Sequence, residues 1–233
     1  LRIWLMSLIF DRLEEHAGNL QSILNSRLLR SDETHDFPWD NLVYNGKGSR
    51  RAHIDIVDKR KEKKLYMMHL CVFPSIYSSA PIYGFDLIAG PNKVTGAFHD
   101  FSPIKCDHPL NDIFYNRVKG YSWSKKRELP EWAKAIFSEN MVSAGNIRDS
   151  KELDEVLNLS VCNLLEYLDY LEGETEIVSS AEQLKIITDY TEAQNRYCHF
   201  QKQNPHTPRV MESLGYDPDT VNRFIQTCLF PEI

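Results

Sequence analysis

Residues 51–101 read RAHIDIVDKRKEKKLYMMHLCVFPSIYSSAPIYGFDLIAGPNKVTGAFHDF. β-Branched and aromatic residues gather there into four runs, His53–Val57, Leu65–Phe73, Ile82–Ala89 and Val94–Phe101, each bounded by turn chemistry. Leu65–Phe73 is nearly apolar on both faces, which places it inside a sheet covered on both sides. Opposed residues of an antiparallel hairpin share a face, and their numbers sum to a constant. The charged run Asp58–Lys64 is the first tip, centred near Lys61 or Glu62. A centre at Glu62 pairs Asp55 with His69, Val57 with Met67 and His53 with Cys71. The connection Pro74–Pro81 pairs Phe73 with Ile82 and hence His69 with Asp86, while the tip Gly90-Pro91-Asn92-Lys93 sets Asp86 beside Ala97. Asp55, His69 and Asp86 then form a row across three strands, each about 5 Å from the next. A slip of one residue in either register breaks the row.

Ionisable side chains that meet on an apolar sheet are costly to bury, and they usually exist to move protons. The alternative is a buried His–Asp pair that merely satisfies itself. No serine or cysteine sits in a nucleophile-elbow context, and the chain has neither a Walker loop nor a GxGxxG fingerprint. An enzyme built on this row would donate protons while its electrons come from elsewhere.

Outside the strands, Leu1 to about Leu29 shows apolar residues at helical spacing, with Gly18 as a weak point. Its early charges, Arg2, Asp11, Arg12, Glu14 and Glu15, suit an amphipathic helix and not a signal peptide. A polar stretch follows, with turn signals at Pro38 and Asn45-Gly46-Lys47-Gly48. The C-terminal half reads as helical. Ser150 caps a helix to about Leu171, with Leu153, Val156, Leu157, Leu164, Leu165 and Leu168 on its buried stripe. Ser179 or Ser180 caps the next, which Asn204-Pro205 stops. A short helix runs from near Pro208 to Gly215, and Asp217-Pro218 opens the last. The expected fold class is α+β, one domain over residues 1–233, with helices on both faces of a largely antiparallel sheet.

With 233 residues, 42% of them hydrophobic, the chain can bury a sizeable core. No window approaches the ~18 uninterrupted apolar residues of a membrane span. A formal net charge of −6 argues against nucleic acid as a partner. The five cysteines are scattered and lack zinc or iron–sulfur spacing, so no metal is expected and reduced, mostly buried thiols of a cytoplasmic protein are. Two local basic runs, Lys59–Lys64 and Lys125-Lys126-Arg127, are either solvated surface or a docking patch for an acidic protein.

The stretches FPSIYSSAPIYGFDLIAG (73–90) and HDFSP (99–103), then LPEWAKAIFS (129–138), YCHFQKQNPHTPRVMESLG (197–215) and the terminal CLF (228–230), resemble the ferredoxin-dependent bilin reductases. The likeness runs from about His53 to the C-terminus and is nearest the phycocyanobilin-forming branch. It implies a three-layer α/β/α sandwich that holds biliverdin IXα between the sheet and the C-terminal helices. It also implies no bound cofactor, single electrons from a reduced 2Fe–2S ferredoxin in a transient electrostatic complex, and a monomer. By that resemblance Asp86 is the essential aspartate that begins protonation, and His69 is its paired histidine. Asp55 falls where the phycocyanobilin branch has the glutamate of HLE, and His53 keeps the histidine of that motif. Gln201 and Asn204 match polar residues near the substrate, and Arg127 meets a propionate. Where the branch reads NDKT this chain has Asn204-Pro205-His206-Thr207, so His206 replaces a lysine that could meet a propionate.

The branch glutamate supports reduction of the D-ring vinyl group. Aspartate withdraws the carboxyl by over ~1 Å, and a general acid must lie within about 3 Å of its acceptor. Vinyl reduction is therefore expected to be lost. The expected reaction is 15,16-reduction followed by A-ring diene reduction, giving phycoerythrobilin, as viral members of the family do. The alternatives are phycocyanobilin as product, or a bilin- or haem-binding carrier without turnover. Acids on the sheet speak against the carrier, since a passive apolar pocket gains nothing from burying Asp55 and Asp86.

Overall fold

The computed structural model describes residues 2–174 and 182–233. Its centre is a seven-stranded sheet in which sequence neighbours are spatial neighbours throughout and every pair is antiparallel. The strands are β1 (Leu29–Arg30), β2 (Asp40–Gly46), β3 (Ser49–Lys59), β4 (Leu65–Pro74), β5 (Ile82–Gly90), β6 (Lys93–Ser102) and β7 (Val142–Ile147). Helices α1 (Arg2–Arg27), α2 (Pro109–Val118) and α4 (Ser150–Gly173) cover one face, and a single turn, α3 (Glu131–Lys134), precedes β7. The other face carries α5 (Glu182–Gln201), α6 (His206–Ser213), α7 (Pro218–Arg223) and a π-helical segment, Phe224–Leu229.

Strand alternation divides the core in two. Tyr66, Met68, Leu70 and Val72 of β4 join Leu13, Leu20, Leu24, Leu164 and Leu168 on the first face. Cys71 and Phe73 join Tyr197, Met211, Phe224 and Phe230 on the second. Leu13, Ala17, Leu20 and Leu24 keep one buried stripe, so α1 runs straight through the exposed Gly18 without breaking. On α4, Leu164 and Leu168 are buried but Leu165 is 38% exposed, because it lies about 100° around the helix from Leu164. The cap of α4 is Asp149, whose Oδ1 accepts from Lys151 N at 2.6 Å; Ser150 is already helical. The expected caps of α5, Ser179 and Ser180, lie outside the described residues. Helix α6 begins at His206, two residues before Pro208, which its first turn tolerates; Gly215 ends it at φ +93. Asp217 caps α7 through Thr220 N at 2.9 Å, with Pro218 at its first position.

Both expected registers of the central hairpins are present: Asp55 opposes His69, and His69 opposes Asp86. The third differs. Asp86 opposes Phe98, not Ala97, because the register shifts between Ile88 and Ala89 and leaves Thr95 as an extra residue. The Thr95 hydroxyl donates to Ile88 O at 2.9 Å and secures the bulge. The shift turns Phe98 to the face of Asp86 and sends Ala97, at 0% exposure, into the opposite core.

Strands β1, β2 and β7 escaped the sequence reading, and α1 ends at Arg27, so that Leu29, expected in the helix, opens β1. β2 is short and rich in turn residues, and Asn45–Gly48 is the tip that joins it to β3. β7 (Val-Ser-Ala-Gly-Asn-Ile) is built of small residues for a spatial reason. A Cβ at Gly145 would lie 2.9 Å from Arg127 Nε, so the glycine makes room for the arginine stem.

Candidate active site

The row forms on the second face, under the C-terminal helices. Asp55 on β3, His69 on β4 and Asp86 on β5 are directly opposed in turn. His69 Nδ1 lies 3.3 Å from Asp55 Oδ1, and His53 Nδ1 lies 3.8 Å from the same oxygen. The terminal Cys228-Leu229-Phe230 and the π-helix close over this group. The Phe230 ring meets His69 edge-on at 5.7 Å, and Phe224 lies 6.2 Å from His53.

Burial sets the electrostatics. Asp86 is only partly covered, yet loss of hydration pushes its carboxyl up to about 6, with His69 opposing and Asp55 adding to the rise. Asp55 is buried and is likewise raised by desolvation, against the stabilising contact with His69. His53 has 0% exposure and is held well below the usual imidazole range, first by burial and then by the positive charge of Arg51. At neutral pH His53 is therefore a neutral ring. Asp55 Oδ1, His53 Nδ1 and His69 Nδ1 are all buried without a well-aligned hydrogen-bond partner. One ring nitrogen of each histidine and a carboxylate oxygen of Asp55 lie within 4.8 Å of one another, near enough to share a proton or to ligate a cation; hairpin arithmetic brought Asp55 to His69 but did not add His53.

The remaining expected residues divide. Arg127 is exposed, has no ion-pair partner among the described residues, and places its guanidinium 5.8 Å above the Phe98 ring. Phe98 opposes Asp86, so this cation stands on the same face, toward the β7 edge. Gln201 is buried and donates through Nε2 to Tyr197 OH at 2.7 Å. That hydroxyl lies 3.5 Å from where a Cβ of Gly84 would be, on the face of Asp86. Asn204 uses both ends of its amide locally: Oδ1 accepts from His206 N at 2.9 Å, and Nδ2 donates to Thr207 Oγ1 at 3.3 Å. His206 is exposed at the start of α6. His53 is buried beneath Phe224 and Cys228, and its side chain turns toward Asp55.

Asp100, in the HDFSP stretch, was given no role by sequence reasoning. Its carboxylate accepts from Ser102 Oγ at 2.8 Å, from Ser138 N at 2.9 Å and from Ser138 Oγ, tying β6 to the end of LPEWAKAIFS. Two of the quoted stretches are thus joined by one buried carboxylate.

The model of the family described as "Ferredoxin-dependent bilin reductase" matches residues 9–231. The chain belongs to that family. It is an oxidoreductase family whose members draw electrons from ferredoxin and hold no bound cofactor. Among curated relatives, the phycocyanobilin:ferredoxin oxidoreductase of Synechococcus sp. (strain CC9902) is 31% identical over 82% of this chain and 74% of its own. That of Prochlorococcus marinus (strain MIT 9515) is 24% identical over 95% of this chain and 92% of its own. A solved PcyX structure is 32% identical, with a TM-score of 0.68 over 95% of this chain and 99% of that one. Tomato phytochromobilin synthase in complex with biliverdin superposes with a TM-score of 0.73 over 95% of this chain and 82% of that one; at 15% identity it supports the shared fold. In this bilin reductase the sheet face bearing Asp55, His69 and Asp86 is the candidate active site.

Proposed function

We propose that this bilin reductase, acting as one unit over residues 1–233, converts biliverdin IXα to phycoerythrobilin through 15,16-dihydrobiliverdin. Four electrons arrive singly from a reduced 2Fe–2S ferredoxin, and four protons accompany them. The observation that carries the reading is the row itself: three ionisable groups, directly opposed on adjacent strands, on the sheet face under the C-terminal helices. Asp86 holds its proton at mildly acidic pH and is accessible enough to meet a substrate, so it is the first donor. His69 relays protons between the two acids that flank it on the neighbouring strands. Asp55 serves the second stage through His69, because its own side chain is buried, with the residue 6% exposed.

Arg127 supplies a cation for a propionate, Gln201 lines the helix side through Tyr197, and His53 acts through Asp55. Asn204 and His206 present the first turn of α6 to the other end of the tetrapyrrole. The deciding experiment is anaerobic incubation with biliverdin IXα and reduced ferredoxin, followed by chromatography of the product. Phycoerythrobilin is expected, and an unchanged substrate would leave only a bilin carrier. A second reading, reduction to phycocyanobilin, is favoured by the names of the curated relatives; that product in the same assay would establish it. Product choice is tested directly by Asp55→Glu, in which the longer arm extends the acid by one methylene. Some phycocyanobilin is expected from that variant, and phycoerythrobilin alone would defeat the single-residue account.

Ferredoxin docks by charge, and the two basic runs differ in place more than in freedom. Arg60 is held by Asp58 at 2.7 Å and Glu14 at 2.8 Å, whereas the lysines of both runs and Arg127 have no ion-pair partner among the described residues. The second run also lies beside the site face, through Arg127 over Phe98. Lys125→Glu with Lys126→Glu is expected to raise the KM for ferredoxin about tenfold at low salt and to flatten its salt dependence. An unaltered KM would move docking to Lys61–Lys64. In this reading the complex is transient and the enzyme a cytoplasmic monomer; no helix among the described residues is long and apolar enough to cross a membrane.

A further inference from the structure

His53 is the buried imidazole that the mechanism above uses only indirectly, and its surroundings determine which of its nitrogens carries hydrogen. Nε2 lies 3.2 Å from Asn41 Oδ1 and 3.4 Å from Cys228 Sγ. The orientation of the Asn41 amide is fixed from its other end, because Nδ2 donates to Trp39 O at 3.0 Å. Oδ1 is therefore the atom that faces the ring, and it can only accept. The Cys228 thiol is a weak donor and has Asn41 Oδ1 within 3.6 Å as an alternative acceptor. A ring held neutral by burial then carries its single hydrogen on Nε2, and Nδ1 turns a lone pair toward Asp55 Oδ1 at 3.8 Å.

We propose that Asn41 is a positioning residue of the reductase: its side-chain carbonyl holds His53 in the Nε2–H tautomer, which denies Asp55 an N–H donor from that ring and favours the acid form of its carboxyl, ready to give a proton. A carboxylate is stabilised by each N–H that points at it, and a lone pair in the same place favours the protonated acid. His69 is then the only ring able to donate to Asp55, which suits a relay that must let the proton go. The other charged and titratable groups around His53 do not reverse this. Arg51, on the same strand, is paired with Glu33 at 2.7 Å, and the positive charge of Arg51 and any on His69 or His35 disfavours a second proton on His53. Cys228 is itself pushed up by burial to about 12 and stays a thiol. Asn41 opposes Asp55 directly across β2 and β3, so the register of the outer hairpin delivers the amide to the acid it controls.

The inference rests on the proposed role of Asp55, but its test does not need turnover. In the unliganded enzyme, 15N NMR of His53 is expected to show Nε2–H with bare Nδ1. Infrared spectroscopy over a pH titration is expected to show a protonated-carboxyl C=O band that disappears in Asp55→Asn. Asn41→Leu frees the ring to place its hydrogen on Nδ1 and donate to Asp55. The band then persists only to lower pH, and the fall of the second reduction with rising pH begins earlier, each unit removing about tenfold of the acid form. The isosteric Asn41→Asp preserves packing and is expected to protonate both ring nitrogens, which also moves the band to lower pH. A wild-type Nδ1–H tautomer, or an unchanged band and pH profile in both variants, would overturn the proposal and leave the catalytic assignment of Asp55 untouched. Full activity of Asp55→Asn would instead remove that assignment, while the tautomer measurement stands.

Discussion

Asp86→Asn is expected to bind biliverdin with near-native affinity and to form product about 10²- to 10⁴-fold more slowly, the range that a positioned general acid contributes. The amide fills the same space on β5 and keeps the strand pairing, so the loss is chemical. Under reduced ferredoxin the variant should accumulate a bilin radical, visible by its absorption and electron paramagnetic resonance spectra, because electrons arrive without the matching proton. The sign of the pH dependence follows from the same group. With its carboxyl raised to about 6, Asp86 is a proton donor below that pH and is progressively lost as one above it. In the wild type the rate of the first protonation should fall as pH rises through about 6, and in Asp86→Asn that limb should vanish. Rapid mixing of pre-reduced ferredoxin with the enzyme–biliverdin complex measures both. Full turnover by the variant would remove Asp86 from the mechanism.

The second large effect concerns stability at a residue remote from the chemistry. Gly48 sits at the tip between β2 and β3 with φ +72, and a Cβ there would lie 2.9 Å from the Leu171 carbonyl carbon, with the carbonyl oxygen closer still. Its own carbonyl accepts from Ser75 N at 2.7 Å, so the tip cannot simply swing away. Gly48→Ala combines a left-handed backbone with an overpacked contact against the helix end, and together these cost about 3 kcal/mol. Thermal unfolding should therefore begin roughly 6–12 °C lower in the variant. The tip anchors the hairpin that carries Asn41, His53 and Asp55, so the second reduction should suffer more than biliverdin binding. An unchanged melting temperature would show that the tip is not seated on α4.

The fold and half of the candidate site were legible in the chain because both depend on local rules. Alternation in residues 51–101 and two short connections determined which residues oppose one another, so Asp55, His69 and Asp86 could be aligned by addition. The same arithmetic failed at the third hairpin, where a single bulged residue, Thr95, moved the partner of Asp86 from Ala97 to Phe98. A bulge is a local insertion held by one hydroxyl-to-carbonyl bond, and no alternation pattern announces it. β2 and β7 were unreadable for a related reason: their residues are chosen for what lies against them, a turn in one case and the Arg127 stem in the other.

By itself the sequence determined the class of fold, the central registers and the meeting of two acids with one imidazole, since strand periodicity and hairpin length act over short distances. Only the tertiary structure decided how those groups behave. The C-terminal π-helix and Phe230 cover the row, burial raises Asp55 and Asp86, and an asparagine from the outer hairpin governs the hydrogen of a histidine twelve residues away in the chain. Desolvation depends on what packs overhead, which comes from segments more than a hundred residues downstream of the strands, and hydrogen-bond direction depends on the pairing of an outer strand that alternation did not reveal.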